Sequence, residues 1–218
     1  MQLVFEQIRS GGDRNFGYLL GDRDTAVAVL IDPSYAPDAF AARAREQGLA
    51  VSLILNTHGH PDHTNGNAVA KALTGAPVAA FAGSTLVPFD VGLADGEELA
   101  VGSLRLRCLH VPGHCPDHLV FHEPSWQLLV TGDLLFVGKV GGTATEDEAR
   151  LEWASLQRVL SRCPEATTVW PGHDYGVRPS STIALERAAN PFLRCPDLEA
   201  FLALKRSWAD YKKRLGLK

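Results

Sequence analysis

The feature that most constrains this chain is a histidine-rich turn that directly follows a short apolar run. Residues 51–55 (VSLIL) are typical of a buried strand, and residues 57–63 (THGHPDH) come next. The three imidazoles and one carboxylate of this turn cannot be buried in an apolar core without leaving polar groups unpaired. Because both groups ligate first-row divalent ions, the turn predicts a metal site. Pro61, with Gly59 before it, predicts a turn here rather than a helix.

Further ligands are expected from other strand ends, because one turn cannot supply two complete coordination spheres. His114, Asp133 and His173 each follow a predicted strand through a bend that contains glycine. Each side chain can therefore project from the same edge of the fold. Taken together with the turn at 57–63, they predict a site assembled from four separate segments.

The remaining pattern predicts an α/β protein with strands in two runs. Pro164 ends a helix that begins at a capping box formed by Thr145 and Glu148. The predicted strands are 3–8, 16–20, 26–31, 51–55, 104–111, 119–122, 127–130 and 167–170, and the predicted helices are 37–47, 65–73, the stretch after Thr145, and the segment after Pro179.

Composition excludes several classes of protein. The 218 residues allow one domain with a modest appendage, and a net charge of −4 argues against a nucleic-acid partner. No apolar run approaches the roughly 18–20 residues that cross a bilayer, and the N-terminus lacks the pattern of a signal peptide. We therefore expect a cytoplasmic protein with no membrane contact and with reduced, structural cysteines. Its oligomeric state is left open.

Together, these residues resemble the metallo-β-lactamase superfamily, whose signature His-x-His-x-Asp-His is matched at positions 58–63. The resemblance implies a four-layer αββα sandwich, with a catalytic domain at 1–176 and a short C-terminal helical extension at 177–218. It also implies two divalent metal ions, with zinc favoured over iron or manganese. The first would be held by His58, His60 and His114, the second by Asp62, His63 and His173, and Asp133 would bridge them.

Within the superfamily, three segments look most like the glyoxalase II (hydroxyacylglutathione hydrolase) branch. They are 131–138 (TGDLLFVG), 172–175 (GHDY) and 190–194 (NPFLR). The resemblance implies a small-molecule thioester substrate, with Tyr175 and Lys139 as substrate-binding residues. Lys205 and Arg206 are further candidates for contacts with an anionic substrate.

The predicted reaction is hydrolysis by a metal-bridging hydroxide, because two adjacent ions lower the pKa of a shared water and stabilise the oxyanion. Asp62 is the predicted catalytic residue, since it can accept a hydrogen bond from that water. The alternative is a persulfide dioxygenase with one iron held by His58, His114 and Asp133. Those enzymes carry Arg-Thr-Asp where this chain has Gly-Thr-Ala at 142–144, which favours the hydrolase.

Four further features have more than one interpretation. Asp32 and His118 are candidates to orient the metal ligands by contacting them without binding the metal themselves. Cys115, beside His114, is interpreted as a buried structural residue rather than a redox thiol. The glycine-rich segment 138–142 is interpreted as a flexible rim of the site, because it lacks the order of a phosphate-binding loop.

Overall fold

The computed structural model describes residues 2–215, which form two six-stranded sheets and seven helices. The first half of the chain contains β1 (Leu3–Gly11), β2 (Asn15–Asp22), β3 (Val27–Ile31), α1 (Pro37–Glu46), β4 (Ala50–Leu55), α2 (Pro61–Thr64), α3 (Asn67–Thr74), β5 (Val78–Phe81), β6 (Val91–Leu93), β7 (Glu98–Val101) and β8 (Leu104–His110). The second half contains β9 (Leu119–Glu123), β10 (Leu128–Gly132), β11 (Leu135–Phe136), β12 (Lys139–Val140), α4 (Glu146–Arg162), β13 (Thr168–Pro171), β14 (Ser181–Thr182), α5 (Ile183–Ala189), α6 (Leu198–Arg206) and α7 (Trp208–Leu215).

Both sheets mix parallel and antiparallel pairs. The first has the order β1-β2-β3-β4-β5-β6, with antiparallel β1-β2-β3 and parallel pairs from β3 to β6. The second has the order β14-β13-β10-β9-β8-β7, in which only β10 and β13 are parallel. The two mixed sheets confirm the predicted fold class.

Alternating side chains build the four layers. In β2, Phe16, Tyr18 and Leu20 join the core between the sheets, whereas Leu19 packs outward with Phe40 of α1. A separate cluster places α4 and the C-terminal helices on the outer face of the second sheet. Each sheet therefore has one face against the other sheet and one against helices, which is the predicted αββα arrangement.

The predicted helices and strands are found with small shifts at their ends. The helix predicted at 37–47 spans Pro37–Glu46 and is followed by Gly48 in the left-handed region at φ +69°. Thr145 caps α4 with both hydrogen bonds of a capping box. The C-terminal stretch adds β14 as an edge strand beside β13, while residues 216–218 of the predicted extension lie outside the described residues.

One sequence-based expectation about the site loops is wrong. Pro61 does not exclude a helix, because it occupies the first position of α2, where its missing N–H is not needed. In the segment 138–142, predicted as a flexible rim of the site, Lys139–Val140 pairs with Leu135–Phe136 in a short hairpin. Both features fix the backbone next to the predicted ligands.

Candidate metal centre

The predicted ligands meet at one edge of the sandwich because each follows the end of a strand or an adjoining loop. His58 and His60 lie between β4 and α2, and α2 itself carries Asp62 and His63. His114 follows β8. The other two come from the C-terminal ends of the paired strands β10 and β13, which carry Asp133 and His173. The structure thus brings all seven predicted ligands together.

Three histidines form the first group. Nε2 of His58 is 2.9 Å from Nδ1 of His60, and that nitrogen is 3.1 Å from Nε2 of His114. His58 is buried, whereas His60 and His114 are half-buried. Their nitrogens are close enough together to hold one metal ion.

The second group consists of Asp62, His63 and His173. The Nε2 atoms of the two histidines are 3.3 Å apart. Oδ2 of Asp62 is 3.6 Å from Nε2 of His63 and 3.4 Å from Nε2 of His173. These three residues can hold a second ion.

Asp133 lies between the two groups. Its Oδ2 is 3.6 Å from Nε2 of His114 and 3.3 Å from Nε2 of His173, and its Oδ1 is 3.5 Å from Nε2 of His63. One carboxylate therefore reaches a member of the first group and two members of the second. This is the position that a ligand shared by two ions requires.

The geometry fits divalent metal ions better than a hydrogen-bonded polar cluster. Four ligands about 2.0–2.1 Å from a tetrahedral ion lie about 3.3 Å from one another, close to the observed nitrogen separations. Oδ1 of Asp133 is buried and accepts no hydrogen bond within residues 2–215. Such an oxygen is costly to bury unless a cation neutralises it. The residues therefore fit two metal ions.

Burial and charge set the protonation of the cluster. Burial lowers the pKa of His58 well below its ordinary value, so its ring is neutral, the form that ligates a metal. Burial also opposes the charged form of His63, but the carboxylates of Asp133, Asp32 and Asp62 together raise its pKa to about 9. Burial works against ionised Asp133 as well, yet the neighbouring imidazoles lower the pKa of this carboxyl well below its usual range. In the absence of a metal, protons on the imidazoles balance the carboxylate charge.

Asp32 and His118 support the ligands as the sequence predicts. Oδ2 of Asp32 is 3.0 Å from Nδ1 of His63, and its Oδ1 accepts a hydrogen bond from the N–H of Thr57 at 2.9 Å. Nε2 of His118 accepts the backbone N–H of Asp133 at 3.0 Å, and the His118 ring stacks against that of His58. These bonds orient the ligand rings and the bridging carboxylate.

Two supporting residues are missed by sequence reasoning. Nδ2 of Asn15, at the start of β2, donates to Oδ2 of Asp62 at 2.9 Å. Asp117 is buried and accepts hydrogen bonds from the N–H of Gly59 at 3.2 Å and from Sγ of Cys115 at 3.0 Å. Asp117 stands beside the candidate His118, a signal that could have found it. No local pattern marks Asn15.

Cys115 is buried and unpaired, as predicted for a structural cysteine. Burial raises the pKa of its thiol to about 12, with a further contribution from Asp117. A thiol in this state is a poor nucleophile near neutral pH.

Tyr175 packs against the predicted ligand His173. Its ring stacks on that of His173 with centroids 4.6 Å apart, and its hydroxyl donates to Oδ2 of Asp13 at 2.6 Å. Nζ of Lys139 lies 3.8 Å from the ring centroid, and the guanidinium of Arg14 lies 4.7 Å from it. The ring of Tyr175 is thus flanked by two cations.

Two cavities adjoin Lys139. The cavity of about 540 Å³ is also lined by Tyr175 and Arg14. The cavity of about 600 Å³ is also lined by Gly142 and Arg206. Lys205 also borders the larger cavity, but its side chain is only 11% exposed and contacts Glu152. Lys205 is therefore a less accessible candidate for substrate than the sequence predicts.

Residues 11–173 match the family described as the metallo-β-lactamase superfamily, and the chain belongs to this superfamily. The hydroxyacylglutathione hydrolase of Polaromonas sp. strain JS666 is 36% identical over 178 residues, which cover 79% of this chain and 67% of that protein. Among solved structures, ETHE1 from Myxococcus xanthus has a TM-score of 0.86 and 31% identity, covering 94% of this chain and 91% of that one. TTHA1623, solved in a di-iron-bound form, has a TM-score of 0.70 and 31% identity, covering 86% of this chain and 100% of that one. The resemblance to the glyoxalase II branch is confirmed.

Within residues 2–215, no helix combines the length and the apolar character needed to span a membrane.

Proposed function

We propose that this protein is a dinuclear metal-dependent hydrolase that cleaves a small thioester or a related acyl substrate. The observation that carries the proposal is the position of Asp133, whose two oxygens reach both His114 and His63. The di-iron form of the similar TTHA1623 supports two ions. In this proposal His58, His60 and His114 hold one ion, Asp62, His63 and His173 hold the other, and Asp133 bridges them.

When bound, two such ions supply a hydroxide near neutral pH and stabilise the negative charge that develops on an attacked carbonyl oxygen. Asp62 is the proposed catalytic residue. Its side chain is 33% exposed, so it faces both the cluster and the solvent side of the site. Asn15 holds this carboxylate in place, which leaves it oriented to accept a hydrogen bond from the attacking water.

The proposed substrate is anionic, because several cations lie around Tyr175, whose ring stacks on the predicted ligand His173. Lys139 and Arg14 flank the ring of Tyr175, and the cavity that these three residues share also contains Lys212. We assign Tyr175 and Lys139 to substrate binding. A glutathione thioester has the required charge, and the relatives named hydroxyacylglutathione hydrolase support it.

A persulfide dioxygenase is the second candidate, and the similarity to ETHE1 favours it. That activity would use one iron held by His58, His114 and Asp133. The complete second group of Asp62, His63 and His173 has no role in such a site, so we place the dioxygenase second.

The deciding experiment offers both substrates to the same preparation. Incubation with S-lactoylglutathione is followed by thiol release, and incubation with glutathione persulfide is followed by oxygen uptake. We expect thiol release, with two equivalents of zinc, iron or manganese per chain. Rapid oxygen uptake with one iron and no thioester cleavage would overturn the proposal.

The metal assignment has its own test in variants. His58→Ala is expected to lose metal and activity together, because His58 contacts both His60 and His63. His122→Gln is the matched control, since His122 is a buried histidine of β9 outside the cluster. Full retention of metal by His58→Ala would exclude the assignment.

We also propose that residues 177–218 form a helical extension on a catalytic domain of residues 1–176. Pairing of β14 with β13 supports a close attachment of the two parts.

A further inference from the structure

A buried ion pair joins the C-terminal extension to the back of the metal cluster. Lys205 of α6 contacts the carboxylate of Glu152 on α4. Glu152 is fully buried, and the side chain of Lys205 is 11% exposed. Two charges are costly to bury unless they are paired, so each confines the other to this arrangement.

Lys205 also holds the backbone segment that faces His114. Its Nζ donates a hydrogen bond of 2.6 Å to the carbonyl oxygen of Gly141. The next carbonyl, that of Gly142, lies 2.8 Å from Nδ1 of His114 and accepts its N–H. This bond directs Nε2 of His114 toward His60 and Asp133, because the partner of one ring nitrogen determines the orientation of the other.

Close packing leaves Gly141 and Gly113 little freedom. A Cβ atom on Gly141 would lie 2.2 Å from the carbonyl oxygen of Asp133 and 3.0 Å from Cβ of His114. A Cβ atom on Gly113 would lie 2.5 Å from the backbone of Glu152. Gly113, the residue before His114, and Gly141 therefore both pack closely against Glu152 of helix α4.

We infer that Lys205 is a positioning residue for the metal ligand His114, acting through Glu152 and the backbone of Gly141 and Gly142. The C-terminal extension thereby contributes to metal affinity as well as to the cavity wall. The inference rests on the metal assignment of the proposed function and goes beyond it by assigning Lys205 to the ligand rather than to the substrate.

The test measures metal affinity in Lys205→Met by competition with a chelator. We expect one equivalent of metal to bind up to about 10-fold more weakly, the lower end of the range for a direct partner of a ligand, because Lys205 acts on His114 through the backbone. The visible absorption of the cobalt-substituted protein should change, and kcat for the thioester should fall more than KM rises. Glu199→Gln is the matched control, since it removes an exposed 3.9 Å pair with Arg150 between the same two helices. We expect this control to bind metal like the wild type.

A double variant separates positioning from stability. Lys205→Met with Glu152→Met replaces the pair by apolar side chains of similar length and leaves no buried charge unpaired. We expect its Tm to recover, whereas its metal affinity stays low because no donor reaches the carbonyl of Gly141. Wild-type affinity in the double variant, or in Lys205→Met alone, would overturn the inference. Either result would leave metal binding by the wild-type protein, and with it the proposed function, intact.

Discussion

Replacement of Asp32 by asparagine tests how strongly the supporting residues control the metal centre. The two carboxylate oxygens of Asp32 serve three close donors, which are the N–H of Thr57 at 2.9 Å, its hydroxyl at 2.6 Å and Nδ1 of His63 at 3.0 Å. Asparagine offers one acceptor oxygen in place of two. Its amide group would turn a donor toward one of these partners, and the bond to His63 is the one that orients a ligand.

The size of the effect follows from that single bond. A hydrogen bond to a charged group contributes about 1.5–3 kcal/mol. At about 1.4 kcal/mol for each tenfold change, its loss weakens metal binding by roughly 10- to 150-fold. We expect the ion held by Asp62, His63 and His173 to weaken by this factor. The ion held by His58, His60 and His114 should weaken less, because Asp32 reaches that group only indirectly, through the contacts of Thr57 and His63 with His58.

The assay is stepwise metal release, followed by competition with chelators of graded affinity. Asp38→Asn is the control, because Asp38 is an exposed carboxylate in the first turn of α1, away from the cluster. Equal affinities for both ions in Asp32→Asn and in the wild type would refute the reasoning. So would an equal loss at both sites with unchanged thermal unfolding, since the contacts of Asp32 are unequal.

Two further predictions concern groups away from the metals. Hydrogen bonds from Ser103 lower the pKa of Asp22 to about 2, so its stabilisation is present above pH about 4 and is lost as the pH falls toward 2. The difference in Tm between the wild type and Asp22→Asn should shrink over that range, and a constant difference would contradict the assignment. A thiol reagent at pH 8 should label Cys195 first, because it is the only half-buried cysteine of the four described. The others should react only in denaturant, because burial raises the pKa of their thiols; they are Cys108, Cys115 and Cys163.

The candidate metal ligands could be predicted from the sequence because each lies just after the end of a strand. An apolar run such as Ala50–Leu55 identifies a buried strand, and the polar residues after it must emerge at the edge of the sheet. Gly132 and Gly172 mark equivalent bends before Asp133 and His173 on two neighbouring strands. Chemistry that excludes these side chains from a core then leaves a metal as their common partner.

The β1–β2 turn could not be assigned to the site in this way. Asn15 pairs with His173 in an isolated bridge between distant parts of the chain, and the carbonyl of Asp13 lies 2.9 Å from Nδ1 of His173. Residues 13–15 reach the site only because the ends of the two sheets meet there. No periodicity within residues 11–15 encodes that long-range contact, so a polar turn of ordinary composition was not distinguishable from a solvent-exposed one.

The positively charged residues show the same limit of sequence-based prediction, because the sequence does not reveal which of them are buried. A basic C-terminal helix suggested that Lys205 would face an anionic substrate, yet Glu152 neutralises its charge inside the protein. The cations beside Tyr175 are instead Lys139, on a hairpin that the sequence did not reveal, and Arg14, whose side chain is 60% exposed. A charge can select a substrate only where it remains accessible, and burial is a tertiary property. The candidate metal ligands can therefore be predicted from local patterns at the ends of separate strands, whereas the proposed substrate contacts depend on how distant segments meet around Tyr175.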